Sequence, residues 1–159
     1  MKLRFAAAED ADALEAVHAR AFDASWNAAD ITRLMHIMGG FALIAEDEAE
    51  GEAGGGGVIG FILARTMADD AEILTLAVAP WARRQGVAKA LVQAVTEEAQ
   101  RRGAHAVFLE VAADNPAARD LYQGLGFIRA GLRKAYYARS GAPAADALVL
   151  RRALNTTPP

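Results

Sequence analysis

The chain contains no cysteine among its 159 residues. That excludes disulfides, a thiolate nucleophile and every cysteine-based metal site. Proline is scarce at five and no Gly-X-Y period runs through the 14 glycines, so the chain is not collagen-like. No apolar run approaches the ~20 residues that a membrane-spanning helix needs. The opening MKLRFAAAEDADALEA carries acids where a secretory signal has its apolar stretch, and no such signal is expected. What remains is 53% hydrophobic and 23% charged, which excludes a disordered chain. A globular protein of this length buries about 68–70% of its unfolded surface. The expectation is one cytoplasmic domain over residues 1–154, a frayed tail over 155–159, and a monomer or dimer.

The small net charge of −3 conceals an asymmetry. Residues 1–80 hold 5 Lys+Arg and 14 Asp+Glu, a balance of −9, whereas residues 81–159 hold 12 and 6, a balance of +6. This split suits an anionic ligand held by the second half and a cationic partner near the first. Two solvated faces that differ without function would look the same. Nucleic-acid binders are more uniformly basic, so neither nucleic acid nor membrane is expected as a partner.

Apolar spacing sets the elements. Lys2–Phe5 reads as a short strand, and Glu9 to Phe22 as a helix with Ala13, Leu14, Val17 and Ala21 on one face. Asn27 is a suitable N-cap for a second helix that Gly39-Gly40 stops. FALIA at 41–45 and VIGFILART at 58–66 read as strands, with the acidic, Gly-rich 46–57 stretch as a flexible hairpin loop. EILTLAV at 72–78 is the next strand. A strong helix follows over 87–102, then the strand AVFLEV at 106–111. Asp114 or Asn115 caps a helix that begins with Pro116 and ends near Leu125, and two paired strands close the chain at 127–137 and 147–153. The order β-α-α-β-β-β-α-β-α-β-β predicts an α/β fold with a mixed, mostly antiparallel sheet and helices on both faces.

The chemistry concentrates in two places. Leu76 to Ala88 (LAVAPWARRQGVA) leads from a strand through a basic, Gly-containing turn into a helix. Such a turn aims unpaired backbone N–H groups at one spot, at the positive end of the helix dipole, which makes an anion site. Gly86 lets a phosphate approach the backbone, and Arg83 and Arg84 add charge. Neither the Walker pattern nor G-x-G-x-x-G is present. The second place is Glu110, a lone carboxylate in an apolar strand that shares a face with Ala106 and Phe108. Solvation at the strand end is the plain alternative for Glu110. Core padding is the plain alternative for Tyr122, in the following helix. The spacing of His18, His36 and His105 suggests no metal site, and core-edge or surface places suit all three. Trp81 reads as a packing residue beside the loop.

Taken together, these segments resemble the GNAT superfamily of N-acetyltransferases. Arg83-x-x-Gly86-x-Ala88 is similar to its pyrophosphate loop, [QR]-x-x-G-x-[GA], and NPAARDLYQGLGF is similar to its fourth motif. A narrower likeness runs from about Glu72 to Leu150 and resembles the RimI-type enzymes that acetylate the N-terminal alanine of a small-subunit ribosomal protein. The resemblance implies the acyl-CoA N-acyltransferase fold, with acetyl-CoA as cosubstrate. It implies cofactor contacts from Leu76, Ala77, Val78, Arg83, Arg84, Gln85, Gly86, Val87, Ala88, Lys89, Asn115 and Tyr122. It implies Glu110 as base and Tyr122 as acid, with the Arg133-Lys134-Ala135-Tyr136-Tyr137 hairpin as the family signature. The first 70 residues match less well, and Ser25-Trp26-Asn27 stands where Pro-Trp-Ser is usual.

On this reading Glu110 takes a proton from the acceptor amine, directly or through one water, and Tyr122 returns one to the leaving thiolate. The backbone N–H of Val78 polarises the thioester carbonyl. The absence of cysteine favours direct transfer in a ternary complex. Trp26, Tyr136 and Tyr137 are the expected acceptor contacts, and Glu72 is a reserve base. Two alternatives stand beside this reading: a GNAT enzyme for a small-molecule amine, and a non-catalytic acyl-CoA sensor.

Overall fold

The computed structural model describes residues 1–48 and 57–154. The expected middle of the acidic loop and the expected frayed tail lie outside the described residues. The elements are β1 (Lys2–Phe5), α1 (Ala11–Ala21), α2 (Ala28–His36), β2 (Gly40–Glu46), β3 (Val58–Met67), β4 (Asp70–Val78), α3 (Val87–Arg101), β5 (Ala106–Ala112), α4 (Pro116–Gly124), β6 (Ile128–Tyr137) and β7 (Ala145–Ala153). Short 3-10 turns cover Ala8–Asp10 and Pro80–Ala82. The first turn corrects the expectation of one continuous helix from Glu9. Asp10 turns its carboxylate back to the Ala7 N–H at 2.7 Å and to the Arg4 guanidinium, and the α-helix proper begins only after it. Asn27 caps α2 by accepting from the Asp30 N–H at 2.8 Å, and Asn115, not Asp114, caps α4 by accepting from Ala118.

One seven-stranded sheet runs in the order β1-β2-β3-β4-β5-β7-β6. Every neighbouring pair is antiparallel except β4 and β5. Helices pack on both faces. Leu91, Val92 and Val95 of α3 meet Ile62, Val107 and Leu109 on one side, where Tyr122 of α4 and Phe127 join them. Leu14, Val17 and Ile31 of α1 and α2 meet Ile44, Phe61 and Leu63 on the other.

The feature that positions a site is where the sheet stops being a sheet. β4 and β5 pair over only three residues, Asp70–Ala106, Ala71–Val107 and Glu72–Phe108. From Ile73 onward β4 keeps only β3, and from Leu109 onward β5 keeps only β7. The parallel strands therefore part and leave an open edge between them. A bulge at Leu74, between the Leu63–Thr75 and Ala64–Ile73 pairs, re-aims β4 where the gap begins.

Candidate functional site

The register fixes which backbone groups face the gap. Ala79 donates its N–H to Ile59 at 2.8 Å, so alternate N–H groups of β4 point to β3. The residues between them, Leu76 and Val78, turn their N–H groups the other way, toward the edge that β5 has left. Such donors call for an acceptor lying along β4.

At the far end of this edge lies the basic turn. Arg84 and Gly86 both sit in the left-handed region, at φ 61° and 79°. Gly86 precedes α3 without any side-chain cap, and the first helical bond runs from Ala90 to Gly86. The N–H groups of Val87, Ala88 and Lys89 are thus left without a helical partner at the positive end of the dipole. A Cβ built on Gly86 would meet nothing within 4 Å, so the space beside it is open to a ligand. Arg83, Arg84, Gln85 and Lys89 are exposed around it. Gln85 donates to the Trp81 carbonyl at 3.2 Å and closes the turn. Trp81 itself is 58% exposed beneath the Arg20 guanidinium, not packed as expected. These residues fit a phosphate-bearing cofactor whose chain extends along β4.

At the near end, where the strands part, a cavity of about 280 Å³ is lined by Arg65, Glu72, Phe108, Glu110, Arg133 and Val149, among others. Both candidate carboxylates face it, and each is held by an arginine. Glu110 Oε1 lies 2.9 Å from Arg133 Nε, and Glu72 Oε2 lies 3.3 Å from Arg65 Nη2. The Arg65–Glu72 contact follows from the hairpin register, which sets those residues opposite one another. Glu110 is reached from β6, across the intervening β7.

Tyr136 and Tyr137 stand beside Arg133. Their rings meet edge to face at 5.1 Å, and the Arg133 guanidinium lies 5.3 Å from the centre of the Tyr136 ring. Burial, and after it the Glu110 charge, raises the Tyr137 hydroxyl above its ordinary pKa. A bulge presents the pair: β6 spends four residues from Arg133 to Tyr137 where β7 uses two from Ala147 to Ala145. Ala135 takes φ 52° there, and its N–H donates to Asp146 at 2.8 Å. A non-glycine residue held in this region stores strain, and strain of this kind gathers at functional sites.

The structure does not bring Tyr122 to the Glu110 side. Tyr122 is 7% exposed and packs with Phe127, Val107, Leu109 and Val111 beneath α3 and α4, whereas alternation along β5 turns Glu110 to the opposite face. Any chemistry shared by the two passes through the gap between the strands. The Tyr122 hydroxyl makes no hydrogen bond among the described residues, and burial raises its pKa, which keeps it protonated. Asn115 is exposed with its side-chain oxygen engaged in the α4 cap, which leaves its amide N–H groups for a ligand. Trp26 is half-buried in the layer of α1 and α2, on the Glu110 side of the sheet.

Sequence reasoning missed Arg65 and Arg133 as partners of the carboxylates. His18, expected at a core edge or the surface, is buried at 2% exposed. The Leu14–His18 spacing along the buried stripe of α1 was the available signal.

An open sheet whose parallel pair splays beside an uncapped, glycine-bearing turn defines the acyl-CoA N-acyltransferase class of fold. The acetyltransferase (GNAT) family model matches residues 11–127, and the chain belongs to that family. Within it, the chain is 38% identical over 82 residues to the [ribosomal protein bS18]-alanine N-acetyltransferase of Escherichia coli (strain K12), covering 52% of this chain and 55% of that protein. The chain thus spans about half the length of the curated relatives it matches. The crystal structure of the ribosomal-protein-S18-alanine N-acetyltransferase from Escherichia coli superposes with a TM-score of 0.85 at 24% identity, over 96% of this chain and 92% of that one. Arabidopsis thaliana NAA60 in complex with acetyl-CoA superposes with a TM-score of 0.83 at 22% identity, over 97% and 98%. No described helix is long and apolar enough to cross a membrane.

Proposed function

We propose that this chain is an acetyl-CoA-dependent N-acetyltransferase whose acceptor is the N-terminal amine of a polypeptide, an alanine-starting ribosomal protein in the cytoplasm foremost. The observation that carries this reading is the continuous open edge of β4. It runs from the uncapped turn at Gly86 past the free N–H groups of Val78 and Leu76 to the cavity that Glu110 lines. Acetyl-CoA supplies the activated acetyl group when bound. The turn from Arg83 to Lys89 holds its phosphates, and the Val78 N–H is aimed at the edge where a carbonyl oxygen would lie.

Glu110 accepts the proton of the amine. An α-amine with a pKa of ~7.7–8.0 is partly neutral at pH 7, so a carboxylate that also attracts the ammonium form is sufficient. The Arg133 guanidinium occupies that carboxylate in the free protein and is 58% exposed. Glu110 itself is 20% exposed, so the pair is open to water on the arginine side, and an arriving ammonium can displace the guanidinium there. Tyr122, protonated and buried on the other side of the gap, is the proton donor to the departing thiolate. With no cysteine in the chain, transfer is direct, within a ternary complex.

A cavity of about 280 Å³ lies just below the ~300–1,000 Å³ of drug-sized ligand sites and suits a chain end with a small side chain. The paired Tyr136 and Tyr137 beside it support a peptide over a small free amine, since they offer a cover for the residues that follow. Purified protein supplied with acetyl-CoA and a panel of amines tests the reading: alanine-starting peptides, polyamines and amino acids. Alanine-starting peptides are expected to be acetylated at the N-terminus in preference to the small amines. A small amine preferred over every peptide would move the assignment to the small-molecule acetyltransferases, and binding without any turnover would make the chain a sensor.

A further inference from the structure

The ring of His18 is one of few buried polar side chains in the described chain, and both of its nitrogens are engaged. Its Nδ1 accepts the backbone N–H of Trp26 at 3.1 Å, and its Nε2 lies 3.2 Å from Thr75 Oγ1. An N–H only donates, so Nδ1 carries the lone pair and the proton resides on Nε2, which donates to the threonine. The ring is stacked between Phe22 at 4.4 Å and Trp26 at 5.1 Å, with Phe61 behind it at 6.2 Å. Trp26 belongs to the segment between α1 and α2. Thr75 belongs to β4, immediately after the bulge and next to Leu76, whose N–H faces the gap.

We infer that His18 is a positioning residue for the acceptor: it fixes the α1–α2 segment carrying Trp26 to β4 at the level of the open edge. One imidazole spans the two elements. Trp26 is the expected acceptor contact of that segment, so this ring sets where that contact stands relative to β4. A hydrophobic residue of the same size would fill the volume but leave the Trp26 N–H without its partner. Glu15 supplies a second tether, accepting the Ala28 N–H at 2.6 Å, so the segment has a firm end beyond Trp26 and the His18 bond decides only the part nearest the gap. The inference rests on the proposed N-acetyltransferase reading and adds to it a residue that touches neither substrate.

Three variants separate the bonds. His18→Asn sets an oxygen where Nδ1 lies and keeps the acceptor for Trp26. His18→Gln reaches Thr75 but offers Trp26 nothing. His18→Phe keeps the stack alone. The expected result is that His18→Gln and His18→Phe raise the acceptor-peptide KM by roughly three- to tenfold, the scale of one hydrogen bond lost to water. The acetyl-CoA KM stays within twofold or so of wild type, and His18→Asn restores the acceptor KM. Hydrogen exchange of the Trp26 amide, followed by NMR, reads the tether without any substrate: protection is lost in His18→Phe and retained in His18→Asn. Where His18→Phe folds poorly, His18→Gln carries the same comparison. Equal protection of the Trp26 amide in all variants overturns the inference. So does a released amide with unchanged acceptor KM, and so does an equal rise for both substrates. Failure of the acetylation reading shows separately, as wild-type protein that acetylates no peptide, and the Trp26 amide then decides the tether by itself.

Discussion

Arg133 reaches diagonally across β7 to set its Nε 2.9 Å from Glu110 Oε1, so the carboxylate assigned as base is held by a strand that is not its neighbour in the sheet. The pair ties the signature hairpin to the point where β4 and β5 part.

Glu110→Gln keeps the shape and removes proton acceptance. Turnover is expected to fall by ~10²–10⁴, the range for a lost acid–base group, with acetyl-CoA affinity nearly unchanged. Steady-state kinetics beside calorimetry check both halves. Collapse in Glu72→Gln with near wild-type rates in Glu110→Gln would hand the role to the carboxylate that Arg65 holds.

Tyr122→Phe separates packing from chemistry. No hydrogen bond to the hydroxyl is seen among the described residues, and it is not one of the buried polar atoms left without a partner, so its removal breaks no pairing. The variant should melt close to the wild-type temperature. Its kcat should nonetheless fall, by ~10² if proton return to the thiolate limits the rate. Unchanged kcat would leave Tyr122 a core residue.

Gly86→Val places a β-branched side chain at φ 79° and closes the open space beside the turn. A strain of ~1–2 kcal/mol lowers stability without unfolding the protein. The acetyl-CoA dissociation constant should rise well beyond what that loss of stability accounts for, as titration calorimetry will read. An unchanged constant would remove the turn from the cofactor site.

Asp10 and His18 are among the groups that set the acid limb of stability, beside the lowered carboxyls of Glu98 and Asp114. The Arg4 guanidinium, bonded to Asp10, holds that carboxyl at about 2, below its ordinary 3.8. Its contribution is complete above about pH 4 and is lost as pH falls toward 2. Burial holds His18 below the ordinary imidazole value of 6.5. The ring contacts Phe22, Trp26, Phe61 and Thr75, none of which carries a charge, so protonation brings it no partner and breaks the Trp26 bond. Stability from the neutral ring is complete above pH 6.5 and is lost as pH falls below it through the depressed value. Melting curves across pH should show both steps, the upper absent in His18→Asn and the lower reduced in Asp10→Asn, where Glu98 and Asp114 still titrate.

Much of this was legible in the amino-acid order. Apolar spacing located the described strands and α-helices, though not the 3-10 turns, because the elements bury one stripe or one face each and the glycines at 39, 86 and 126 punctuate them. Gly86 and the alternation around Glu110 pointed to both ends of the open edge between β4 and β5. What stayed hidden depends on the third dimension. Asp10 folds back on Arg4 through a local bond that periodicity does not register. The partners of Glu110 and His18 come from 23 and 57 residues away, and such pairings follow from strand order rather than from any local pattern. The face occupied by Tyr122 was equally out of reach, since helix spacing says which side of α4 is apolar but not which side of the sheet receives it.

The charge split bears on the acceptor. Asp70, Glu72 and Glu110 line the cavity together with Arg65 and Arg133. An acidic first half should draw a peptide with arginines at later positions, and screening over ~8 Å at 0.15 M salt should weaken that pull. The kcat/KM for such a peptide is expected to fall more steeply with ionic strength than for its arginine-free counterpart. Equal salt dependence would reduce the asymmetry to solvated surface.

The central claim, that the Glu110 cavity receives a polypeptide N-terminus, is tested most directly by mass spectrometry of alanine-starting peptides incubated with the purified protein and acetyl-CoA. One acetyl group is expected on the α-amine, none on a peptide whose N-terminus is blocked, and at least ~10²-fold slower product formation with Glu110→Gln. Acetylation of a small amine with every peptide left untouched, or full peptide turnover by Glu110→Gln, would contradict it.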